Sequence, residues 1–142
     1  DRPLNERGYE NAYLMGKILA EKKYIPEFIL SSPAVRAIST AFIFARNFNY
    51  NTTKIKITPA IYEAKTETLV KIIKAMDNKY KSAMLFGHNP AFTYLSNHLC
   101  EAKIDHVPTA GVMCIDFNVN DWANVEEGKG SLHFFDFPGN YI

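Results

Sequence analysis

Residues Ser82–Phe92 read SAMLFGHNPAF. An apolar run stops at Gly87, presents His88, Asn89 and Pro90, and turns apolar again. A short apolar run bounded by turn formers is the pattern of a strand buried on both faces. Asparagine ahead of proline is a cap and first-turn pair, so a helix is expected to open at once and run to about Cys100. Strand thus leads directly into helix, with Gly87 supplying the turn and a histidine between the two elements.

The same grammar recurs along the chain. EFILSS, residues 27–32, is a short apolar run after Pro26. Ser32 and Pro33 then predict a helix through about Asn47 with Val35, Ile38, Phe42 and Ala45 facing inward. Ahead of it, Asn5 is a candidate N-cap, and Ala12, Leu14, Met15, Ile18 and Leu19 form an apolar stripe at helical spacing to about Lys23. KIKITPAIYE, residues 54–63, alternates Ile55 and Ile57 with polar residues before Pro59 and predicts a strand. Thr66 is expected to cap a helix carrying Leu69, Ile72, Ile73 and Met76. GVMCIDFN and GSLHFFDF, joined by the polar NVNDWANVEEGKG, predict a closing antiparallel hairpin.

Strands alternating with helices imply an α/β fold: a three-layer αβα sandwich whose central sheet is mostly parallel and made mixed by the C-terminal hairpin. No repeat, low-complexity tract or linker interrupts the chain, so residues 1–142 are read as one domain. The alternating aromatics Phe134, Phe135 and Phe137, with Tyr141, are read as core and sheet packing, an oligomer interface being the other reading. The oligomeric state is left open.

Composition narrows the function. With 47% apolar and 13% aromatic residues the chain is expected to fold. Sixteen basic against fifteen acidic residues leave a net charge of +1, which is no footprint for nucleic acid or an anionic membrane. Any anion must therefore be held locally. Two cysteines without CxxC spacing, no long apolar run and no signal-peptide pattern lead us to expect a cytoplasmic protein. His88, His98, His106 and His133 show no HxH or HExxH spacing, and GxxxxGK[ST], GxGxxG and GxSxG are absent. No metal site and no cofactor are expected; the chemistry left standing is the handling of a phosphate-like anion.

In open α/β sheets ligands gather beyond the carboxyl ends of the strands. Two junctions lie there, SSPAVR (31–36) and GHNPAF (87–92), each placing a helix N-terminus with its unpaired N–H groups at that edge. Arg36 leans back toward it, and a cation there is unfavourable against the helix dipole unless an anion intervenes. The other reading of Arg36 is a surface arginine paired with a glutamate. His88 is either a satisfied turn histidine or a ligand of the same anion. Glu63 ends the 54–63 strand. If that strand is parallel to the others, Glu63 reaches the same edge and could protonate a leaving group; otherwise it supports the next helix N-terminus.

RPLNERG (2–8), LSSPAVRAIST (30–40), IYEAKTETL (61–69) and LFGHNPAF (85–92), in this order and spacing, resemble the histidine phosphatase superfamily, most closely its small SixA-type phosphohistidine phosphatases. The resemblance implies that Arg36 grips phosphoryl oxygens, that His88 faces the transferred phosphoryl group, and that Asn89 adds its backbone N–H. It also puts Arg2 at the pocket rim and Glu63 in the region that holds the acid in the larger superfamily. The family's nucleophile is a histidine in an Arg-His-Gly or Arg-His-Ala motif ending its first strand, and these 142 residues lack it. We expect that strand ahead of Asp1, because losing a central strand would expose sheet edges. The function implied is a metal-independent phosphatase acting on protein phosphohistidine or small phosphomonoesters. The alternative is a non-catalytic phosphate-binding or protein-interaction domain of the same fold.

Overall fold

The computed structural model describes residues 2–142. Helix α1 spans Glu6–Glu21, strand β1 Phe28–Ser31, α2 Val35–Asn47, β2 Lys56–Ile57, α3 Thr66–Lys74, β3 Ala83–Phe86, α4 Ala91–Cys100, β4 Val112–Asp116 and β5 Ser131–Asp136. The parallel sheet has the order β2-β1-β3, with Leu30 opposite Lys56 on one side and Leu85 on the other.

Side chains that alternate along a strand divide between two cores. Ile29 of β1 and Met84 and Phe86 of β3 join Met15, Leu19, Phe44 and Phe48 of the α1–α2 side. Leu30 and Leu85 join Leu69, Ile73, Leu95 and Leu99 of the α3–α4 side. The result is a three-layer sandwich. α1 and α2 approach closely because Gly16 is a glycine: a Cβ there would lie 3.3 Å from the Phe44 Cα.

Several expected boundaries shift. Asn5 does cap α1, its Oδ1 accepting from Gly8 N at 2.8 Å. α2, however, opens at Val35 rather than Pro33, with Ala34 in the cap position and the Ser32 hydroxyl accepting from Ala34 N at 3.1 Å. Val35 is exposed instead of inward-facing; Ala37, Ala41, Phe44 and Ala45 form the buried stripe. Thr66 is the first residue of α3 and Lys65 its cap. The predicted 54–63 strand shrinks to two residues, because 3₁₀ turns at Thr52–Lys54 and Pro59–Ile61 close in on both sides. Proline lacks the N–H a ladder needs.

The hairpin forms as expected, with β4 antiparallel to β5 and a register shift at Cys114/Ile115. It does not hydrogen-bond to the parallel sheet. Val112 and Phe134 nevertheless pack on the first core and Ile115 and Phe117 on the second, so the hairpin continues the sheet layer across a gap. That gap is a groove of about 1490 Å³, lined by Ala83–Gly87 on one side and Val112–Phe117 on the other. Tyr141 Oη donates to buried Asp136 at 2.6 Å and accepts from Lys22 Nζ at 3.3 Å, tying the chain's end to the residue that caps α1.

Candidate active site

The carboxyl ends of β1, β2 and β3 meet at one edge. Ser32 N donates to Phe86 O at 2.8 Å and Thr58 N to Ser31 O at 2.8 Å, carrying the parallel ladder one residue beyond the strands. β2 is thus parallel, as the placement of Glu63 requires. α2 and α4 start at this edge and turn their N–H groups to it.

Gly87 positions His88 for a reason other than the one expected. Its backbone is not left-handed. A Cβ on Gly87 would instead lie 2.5 and 2.7 Å from the Cε1 and Cζ of Phe92, and 3.1 Å from Ile61 Cγ2. The ring of α4 folds back over the strand end, and only glycine leaves room for it.

Asn89 is committed to structure through its side chain. Its Oδ1 accepts from Thr93 N at 3.2 Å and Thr93 Oγ1 at 2.8 Å, and its Nδ2 donates to Val107 O. Val107 N in turn donates to Thr93 Oγ1 at 3.0 Å. Asn89 therefore sits one residue ahead of the cap position, held by Pro90, and pins the segment after α4 to the helix start. What remains for a ligand is its main-chain N–H.

His88 and Asn89 line two spaces. Toward the hairpin they border the head of the groove, together with Arg36, Arg7 and His106. They also border a cleft of about 400 Å³ lined by Ser32, Tyr62, Glu63, Lys65 and Tyr94. Arg36 and Glu63 each share a space with His88 but not with each other. Arg2 is exposed ahead of α1 and lines neither; Leu4, Asn5 and Arg7 of that segment line the groove.

Arg36 is exposed in the first turn of α2, with no carboxylate partner among the described residues. The paired-arginine reading therefore fails. Glu63 has a left-handed backbone at φ 50°, a conformation few non-glycine residues adopt and one that recurs at functional sites. It does not cap α3, whose first-turn carboxylate is Glu67.

Burial pushes the thiols of Cys100 and Cys114 above their ordinary range. Both are free, and a raised thiol is a poor nucleophile. Among the described residues no three His, Cys, Asp or Glu side chains gather as a metal-binding group, and no helix is long and apolar enough to cross a membrane.

The family model of the histidine phosphatase superfamily (branch 1) matches residues 1–91, which hold Arg36, Glu63 and His88. The chain belongs to the histidine phosphatase superfamily. Among solved histidine phosphatase folds, one from Agrobacterium tumefaciens assigned as the phosphohistidine phosphatase SixA is 28% identical. It superposes with a TM-score of 0.80 over 98% of this chain and 85% of that one. The protein histidine phosphatase SixA complexed with tungstate is 22% identical, with a TM-score of 0.83 over 99% and 87%. The uncharacterized protein ML1117 of Mycobacterium leprae (strain TN) is 24% identical, covering 97% of this chain and 88% of its own length. Family membership with SixA neighbours supports phosphatase activity.

Of the side chains lining these two spaces, Tyr62, Lys65, Tyr94 and Arg7 were not singled out from the sequence, and His106 was weighed there only as a metal ligand. Arg7 lies within RPLNERG and could have been found there. The tyrosines carry no local signal, since they come from separate elements that only the tertiary fold brings together.

Proposed function

We propose that this protein is a metal-independent phosphatase that removes phosphoryl groups from protein phosphohistidine or small phosphomonoesters through a phosphohistidine enzyme intermediate. The observation that carries the reading is Arg36 at the start of α2, without a carboxylate partner among the described residues and lining one groove with His88. A planar guanidinium and helix N–H groups aimed at one place suit the equatorial oxygens of a transferring phosphoryl group.

In this reading the nucleophile is a histidine of the kind the family carries in its Arg-His-Gly or Arg-His-Ala motif.

The reaction is a double displacement. The nucleophile's ring nitrogen bonds to phosphorus as the bond to the leaving group breaks, and the leaving group takes a proton. Water then attacks the phosphohistidine, releasing inorganic phosphate and the free imidazole. Arg36 and His88 hold the charge in both steps. Glu63, which lines a cleft with His88, is the proton source for alkoxide leaving groups. An imidazole leaving group, with a conjugate-acid pKa near ~6.5, needs it less.

The test is hydrolysis of p-nitrophenyl phosphate by the full-length protein in excess chelator. Activity should persist there and fall by about 10²- to 10³-fold in kcat in Arg36→Ala and in His88→Ala. Activity that requires added metal, or that survives both substitutions, contradicts the proposal. A wild-type protein that binds phosphate without turning over is the binding domain instead.

A further inference from the structure

We propose that Tyr24 is a covalent modification site for activated acyl donors, with its hydroxyl as nucleophile, His133 as base and Asp116 as the residue that positions the base. The three side chains form a chain: Tyr24 Oη lies 3.1 Å from His133 Nε2, and His133 Nδ1 lies 3.3 Å from Asp116 Oδ2. A hydroxyl within hydrogen-bond reach of an imidazole that a third group orients is the arrangement of an activated nucleophile. A carboxylate only accepts, so Asp116 keeps a proton on Nδ1 and leaves the Nε2 lone pair of the neutral ring to the phenol.

Three separate elements build this cluster, away from Arg36 and His88. Tyr24 lies between α1 and β1, at the amino end of the parallel sheet, whereas Arg36 and His88 follow the carboxyl ends of β1 and β3. The end of α1 aims it. Lys23 takes a left-handed φ of 64°, its N–H donates to Ala20 O at 3.0 Å, and Tyr24 N donates to Leu19 O at 2.9 Å, the paired bonds of a Schellman motif. The Tyr24 ring packs on Phe134 with centroids 4.7 Å apart and meets the His133 ring edge to face at 5.5 Å. Asp116 closes β4 and His133 lies on β5, so the hairpin supplies both the base and its partner. All three side chains line the wide groove, and Tyr24 is 38% exposed, which leaves its hydroxyl open to a small donor.

In the reaction the phenol oxygen bonds to the acyl carbon as the bond from that carbon to the donor's leaving group breaks. The phenol proton passes to His133 Nε2, and the imidazolium, held by Asp116, returns it to the leaving group or to water. Lys22 interacts electrostatically with Tyr24, and its charge favours the negative charge developing on the phenol oxygen. No other tyrosine hydroxyl among the described residues meets an imidazole. Tyr141 donates to Asp136 at 2.6 Å, but a carboxylate held below its ordinary range is a poor base. The hydroxyls of Tyr9, Tyr13, Tyr62 and Tyr94 have no partner among the described residues.

Those four tyrosines make the test internal. The full-length protein is treated with limiting N-acetylimidazole, and each tyrosine is followed by peptide mass spectrometry as a hydroxylamine-labile ester. The four references are 48–60% exposed, so exposure alone would make Tyr24 the slowest. The cluster should instead make it at least tenfold faster than any of them. His133→Gln should bring Tyr24 to the level of the references or below while their own rates stay unchanged. Asp116→Asn should lower the excess several-fold and Asp116→Glu should restore most of it; this pair decides the case if His133→Gln also changes the references. Tyr24 reacting no faster than the references, an excess that survives His133→Gln with the references unchanged, or equal rates in Asp116→Asn and Asp116→Glu overturns the proposal. Tyr24 slower than every reference would make the cluster a tie between the hairpin and the end of α1 instead.

Discussion

Replacing Gly87 with alanine probes the junction on which the site depends. The added Cβ would lie 2.5 and 2.7 Å from two Phe92 ring carbons, against an optimal carbon separation of ~3.5–4.0 Å. Phe92 must retreat by about 1 Å, and it cannot swing freely. It packs against the second core, and its carbonyl accepts the Ser96 hydroxyl at 2.9 Å. Ile61, 3.1 Å from the new atom, blocks relief by moving the strand end. Overpacking of this kind costs about 1–3 kcal/mol. With a urea m-value of ~2 kcal/mol/M, the unfolding midpoint followed by circular dichroism should fall by roughly 0.5–1.5 M. The same displacement shifts His88 relative to Arg36, and a ~1 Å misplacement at a reacting centre can cost ~10²-fold in rate. Gly87→Ala combined with Phe92→Leu should recover part of both losses, a coupling that a double-mutant cycle measures. An alanine variant with parental stability and turnover would refute the argument that Phe92 is why position 87 is glycine.

Other consequences can be checked directly. Asn89→Ala removes acceptors from Thr93 and the donor to Val107 O, and should cost about 1–2 kcal/mol, with faster amide exchange confined to the start of α4 and residues 101–111. Burial raises the Asp136 carboxyl, but bonds from Tyr141, Asn140 and Phe137 N and the charge of Lys22 outweigh it and leave it below the ordinary range. That stability is present above the unfolded-state value of ~3.9 and is lost as pH falls through the lower folded value. In urea melts from pH 6 to pH 2, Asp136→Asn should therefore be less stable than the parent at pH 6, and the difference should shrink toward pH 2. Glu63→Gln should slow hydrolysis of alkyl phosphates by at least tenfold and leave N-phosphoimidazole hydrolysis nearly unchanged; equal losses on both would remove Glu63 from proton transfer.

The order of elements was legible because burial leaves a local imprint. β1 and β3 are buried on both faces and read as unbroken apolar runs, while α1 and α3 carry stripes at helical spacing. From that order, the rule that ligands collect at strand carboxyl ends selected the neighbourhood of Arg36 and His88. Features decided by distant contacts were not legible. Gly87 looked like a turn residue, yet its constraint is a ring five positions on. Asn89 looked like a cap and a ligand, but its side chain is taken by Thr93 and by Val107, eighteen residues away. The hairpin was read correctly from alternation, whereas its separation from the parallel sheet is a tertiary arrangement that no local pattern encodes. Tyr62 and Tyr94 come to line one cleft only through the tertiary fold.

The central claim is that a phosphoryl group is held at the strand edge between Arg36 and His88. A crystal structure of the full-length protein soaked with orthovanadate tests it most directly. The account predicts the oxyanion at the head of the groove, with Arg36 and His88 nitrogens within hydrogen-bonding distance and the helix starts of α2 and α4 facing it. Vanadate bound elsewhere, or a head of the groove left empty at saturating vanadate, would contradict it.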